Sequence, residues 1–100
     1  MKKLIIALSL VLSTPSMAGE ITKTDICTSY SSLAGVVMMK RQEGVDMARM
    51  IAALNGGDSY DTSLIIIKAA YALPRFSTAD YQQNAIIDFK NDVMSECMGR

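Results

Sequence analysis

The chain has 100 residues, ten basic and ten acidic side chains, two cysteines, and neither histidine nor tryptophan. Lacking histidine, it lacks the usual general base for a serine or cysteine nucleophile, and its balanced charge argues against a nucleic-acid partner. These counts point to a small non-enzymatic protein.

Residues 1–18 read as a cleaved export signal. Lys2 and Lys3 supply the positive start, Leu4 to Leu12 an apolar stretch interrupted only by Ser9, and Ser16-Met17-Ala18 the small-x-small cleavage site. That stretch is nine residues long, against the roughly twenty a spanning helix needs. The mature protein is expected to begin at Gly19 and to form one domain over 19–100, periplasmic or secreted. No lipid anchor is expected, because a bacterial lipoprotein begins on cysteine and the nearest thiol is Cys27. Loss of Lys2 and Lys3 leaves eight basic residues against ten acidic, a net charge of −2, with the basic residues scattered among acids. In an oxidising compartment Cys27 and Cys97 are most simply a disulfide, since active dithiols usually sit close together as Cys-x-x-Cys.

The first helix is expected after a short polar lead, capped by Thr24 or Asp25. Its apolar residues Ile26, Tyr30, Leu33, Ala34, Val37 and Met38 recur at three- and four-residue spacing. It runs to about Gln42, and Gly44 stops it. Asp46 caps a short second helix, Met47 to Leu54, which Asn55-Gly56-Gly57 ends. Asp58 and Ser59 can each cap a third helix, with Asp61 in its first turn, and Pro74 prevents its continuation beyond Ala72 or Leu73. Ser77 is placed to cap the fourth, with Asp80 in the acidic position of a capping box. Tyr81, Ala85, Phe89, Val93 and Cys97 then repeat every four residues, with Ile86 beside them, to an end near Cys97 or Met98. No segment alternates with period two for long enough to make a strand. The expected fold is all-α, a small bundle of about four helices closed by one disulfide from the first helix to the fourth, with that bond at the edge of the core.

Few residues suggest chemistry. Asp58 and Asp61 are the closest carboxylate pair, but their spacing suits a cap and a first-turn charge better than a glycosidase pair. Gly56-Gly57 lacks the spacing and the lysine of a phosphate loop. Met47 with Met50, and Met94 with Met98, share helix faces, a spacing that suits soft Cu(I) ligation; adaptable core filling is the stronger reading. No cofactor or metal is expected. Arg41 falls in the middle of the first helix's apolar stripe. In the last turn of that helix, it is expected to reach past the core and pair with the helix carboxyl end or an acid, with polar recognition as the alternative. The third helix is apolar all round apart from Asp61 and Lys68, so it must be covered on nearly every side. Either it is central, or part of it stays open as a contact patch. On the second reading Ile66, Ile67, Ala70 and Tyr71 anchor a partner, and Lys68 and Arg75 form the polar rim.

Cys27 in the first helix, Arg41-Gln42-Glu43-Gly44, Ala70-Tyr71-Ala72-Leu73-Pro74-Arg75 and the final Cys97, together with the leader, resemble a group of small exported proteins of proteobacteria and their phages. The resemblance covers nearly the whole mature chain and implies a helical frame with Arg41 and Tyr71 to Arg75 at turns. The broader class of small periplasmic helical proteins with one disulfide includes acid-stress chaperones, immunity proteins that neutralise toxins, and phage proteins that block a second infection. The chain departs from the acid chaperones in lacking their charge and their long lysine-rich ends. The expected function is therefore protein binding, as an inhibitor or immunity-type factor acting by occlusion on a periplasmic, phage-derived or toxin-derived protein, or self-association. The alternative is an acid-stress chaperone that exposes the same surface when its carboxylates are protonated.

Overall fold

The structure, a computed structural model, describes residues 21–54, 56–57 and 59–99. The expected leader and its cleavage site lie outside the described residues, as does the cap expected of Asp58. Among the described residues there are four α-helices and no strand: α1 (Lys23–Glu43), α2 (Met47–Ala52), α3 (Tyr60–Tyr71) and α4 (Ala79–Met98).

Thr22, not Thr24 or Asp25, caps α1. Its extended backbone lets its hydroxyl accept from the Asp25 N–H at 3.1 Å while the Asp25 carboxylate accepts from the Thr22 N–H at 3.1 Å, a complete capping box. At the other end Gly44 takes the left-handed conformation, φ 91°. Its N–H donates to the Arg41 carbonyl and the Val45 N–H donates to that of Lys40, the double closure that a glycine past the last turn allows.

The Asp46 side chain caps α2 as expected, accepting from the Arg49 N–H at 3.0 Å. The helix ends at Ala52, two residues early, because the Leu54 N–H turns to the Ile51 carbonyl three residues back. Ser59 makes no side-chain cap for α3. Its φ and ψ of −95° and 6° are not the extended ones that aim a hydroxyl at the open amides. Thr78, one residue after Ser77, caps α4 through the Tyr81 N–H.

The long helices α1 and α4 pack against each other, α3 lies against α1, and α2 against α3. The Cys27–Cys97 disulfide joins the start of α1 to the end of α4 with 5.6 Å between the Cα atoms. Beside it Lys23 Nζ donates to the Met98 carbonyl, a cation on a helix C-terminus. Cys27 is fully buried and Cys97 half-buried. The core is Ala34, Val37 and Met38 of α1, Ile66, Ile67 and Ala70 of α3, and Phe89 of α4. Met47, Met50 and Ile51 of α2 pack against it as half-buried cover. The first members of two predicted stripes run past the core: Ile26 and Tyr81 are exposed. No helix among the described residues is long and apolar enough to cross a membrane.

Candidate functional site

On α3 the residues facing α1 are Ser63, Ile66, Ile67 and Ala70, the buried ones. The other face carries Ile65 and Ala69, and Leu73, two residues past the end of the helix, continues their four-residue spacing. Ile65 is 66% exposed and Leu73 40%. These stay open because α3 and α4 both pack on α1 and scarcely touch each other. Between them lies a groove of about 480 Å³. Tyr30 of α1 contributes from below, Ile65, Ala69 and Leu73 form one wall, and Phe89, Val93 and Cys97 form the other. Asp92 and Glu96 on the α4 side are the charged residues of the lining, and neither is basic.

The width of this groove depends on the turn joining α3 to α4, and that turn is held by the end of α1. Gln42, 3% exposed, donates through Nε2 to the Pro74 carbonyl at 3.0 Å and accepts at Oε1 from the Phe76 N–H at 2.8 Å. Arg75 Nε returns a bond to the Gln42 carbonyl at 2.9 Å. Arg41 donates from Nε and Nη2 to the Leu73 carbonyl at 3.3 and 3.1 Å, with its guanidinium carbon 5.2 Å from the centre of the Tyr71 ring. The stretch Arg41 to Gly44 thus meets Tyr71 to Phe76 in one polar clamp. Gly44 belongs to it for a second reason: a Cβ there would stand 2.8 Å from the Arg75 guanidinium. No buried side-chain nitrogen or oxygen among the described residues lacks a partner.

The Tyr71 hydroxyl donates to the Val45 carbonyl and so ties α3 to the start of α2. Burial pushes the phenol above its ordinary value of 10.0; Arg41 opposes this and Asp46 adds to it. A raised folded pKa favours the protonated, folded form, so the contribution is complete below the unfolded value and is lost as pH rises through the folded one. Tyr71→Phe should be about 1 kcal/mol less stable than wild type at neutral pH. In urea titrations the gap should close above about pH 10, where the wild-type phenol ionises. A gap that stays constant to the alkaline limit would contradict this assignment.

The residues predicted as partner contacts divide. Ile66, Ile67 and Ala70 are 5%, 1% and 0% exposed, so they belong to the core; of the three only Ile66 reaches the groove lining, and the accessible apolar face is that of Ile65, Ala69 and Leu73. The correction has a steric cause, since α1 covers one side of α3 and α4 stands too far off to cover the other. Tyr71 is half-buried and Arg75 is engaged with the Gln42 carbonyl, while Lys68 is exposed outside the groove lining. Arg41 meets the carbonyl just past the end of α3. Gln42 went unpredicted, although it continues Ala34 and Met38 by fours on the buried face of α1. Among the described residues no group of three or more His, Cys, Asp or Glu side chains is placed to hold a metal.

Comparison with known proteins adds no relative: no family model, curated protein or solved structure matches the chain.

Proposed function

We propose that the protein acts outside the cytoplasm, after export, as a non-enzymatic factor that binds another protein and blocks it by occlusion, in the manner of an inhibitor or immunity protein. The observation carrying this reading is the open face of α3, where Ile65 and Leu73 remain exposed over a groove whose far wall is apolar. Apolar side chains aligned along a concave surface are the usual anchor of a protein interface, and a carboxylate rim adds selectivity. The disulfide supports the extracytoplasmic setting, because such bonds persist where thiols are not kept reduced.

A photo-crosslinking amino acid at position 65 or 73 is expected to trap a discrete protein adduct in cells, while the same group at Ser32, exposed on α1 and outside the groove lining, gives none. Ile65→Asp should abolish the adduct formed from position 73 while changing stability by no more than about 0.5 kcal/mol, since the site is mostly in solvent. Equal labelling from Ser32, or none from the groove, would refute the reading.

A further inference from the structure

We infer that the occupant of the α3–α4 groove is an amphipathic helix of the partner protein, about three turns long, with lysine or arginine where it passes Asp92 and Glu96. This deepens the protein-binding reading and rests on it.

Length comes first. The helical part of the α3 wall, Thr62 to Ala69, rises roughly 10 Å at 1.5 Å per residue, or two turns, and Leu73, two residues past the end of the helix, extends the wall by about one turn more. The backbone chemistry of the walls then selects the conformation. Both walls come from helices, whose N–H and C=O groups are bonded within the helix, and neither offers a strand edge. A segment entering an apolar groove without backbone partners must satisfy its own amides, and a helix does so. The setting suits it as well: α3 and α4 both pack on α1 while scarcely touching each other, and a guest helix between them would complete the second layer of a bundle.

Charge selects the side chains. Asp88, Asp92 and Glu96 follow one another at four-residue spacing on α4, all exposed, and the latter two line the groove. The cation of α4, Lys90, is directed elsewhere, its stem crossing α1 at Gly35. An acidic edge along an apolar trough is complementary to a helix with a greasy stripe and a basic flank, and repels one with an acidic flank.

The test uses the purified disulfide-bonded protein and three fluorescent peptides of about twelve residues, long enough for the three turns, each stapled to hold it helical. One has a leucine stripe flanked by lysines, one has glutamates in place of the lysines, and one has the first composition scrambled. Saturable anisotropy is expected for the lysine peptide, with loss of binding in Ile65→Asp. Affinity for the glutamate peptide should be at least about tenfold lower at low salt, a difference that salt reduces. Asp92→Lys combined with Glu96→Lys should reverse the preference, with circular dichroism verifying the fold. Equal binding of the scrambled or glutamate peptide would overturn the inference. So would indifference to Ile65→Asp, or a wild-type dimer that Ile65→Asp dissolves, which would give the groove to a second copy. If the peptides fail but crosslinking from Ile65 persists, the basic helix falls and protein binding stands; if both fail, the two readings fall together.

Discussion

Replacing Cys27 and Cys97 together with alanine is expected to lower stability by about 4 kcal/mol, the chain-entropy value for a closed loop of this size. The bond spans 70 positions, nearly the whole described chain. A domain of this length has about 4–12 kcal/mol in total, so the loss is a third or more of what holds it. The consequence falls mainly on α4, whose one buried side chain is Phe89; Ala85, Ile86 and Val93 are only half covered. Urea unfolding of the variant, and of wild type under reductant, should show the same lowered midpoint, with a thermal transition roughly 20 °C or more below that of the oxidised protein. Hydrogen exchange should reveal α4 amides losing protection before those of α1 and α3. A variant within 1 kcal/mol of wild type would mean that packing alone holds α4 in place.

Gln42→Ala should produce the largest effect of any single substitution in the clamp, a loss of about 2–4 kcal/mol. Two turn groups, the Pro74 carbonyl and the Phe76 N–H, lose their partner at once, and the space left is too enclosed for solvation to compensate fully. Arg41→Ala is expected to cost less, about 1 kcal/mol, because its bonds to the Leu73 carbonyl lie where water can replace them. Gln42→Glu should not rescue, since a carboxylate keeps the acceptor for Phe76 but has no donor for Pro74. Denaturation midpoints of the three variants, with exchange of the Phe76 amide as the local readout, test the ranking. If Gln42→Ala costs no more than Arg41→Ala, the clamp is not centred on Gln42.

Local signals were legible in the sequence. Gly44 and Asp46 act on their own few residues, so the end of α1 and the start of α2 fall where turn chemistry puts them. The pairing of Cys27 with Cys97 follows from there being two thiols. Caps were misjudged where neighbours compete: Thr22, Thr24 and Asp25 can all accept from amides, and the reciprocal bond with Asp25 decides for Thr22. The open face of α3 was not readable, because a helix apolar on every side has no polar stripe to mark solvent. Which isoleucine is left bare depends on how far α4 stands away, a distance set by α1 and the two attachments at its ends. Gln42 was hidden for the opposite reason: it reads as a surface residue until the 74–76 backbone, more than thirty positions away, supplies its partners.

Those two attachments make α1 a gauge. The sulfur bridge fastens one end and the Gln42 clamp the other, so the gap between α3 and α4 is spaced by α1 in the folded chain itself. The entropy of shaping the proposed site would then be lost on folding and not on association. If the groove binds a partner as proposed, recognition would be by lock and key: mutations that loosen either fastening are expected to weaken it without altering a single contacting atom.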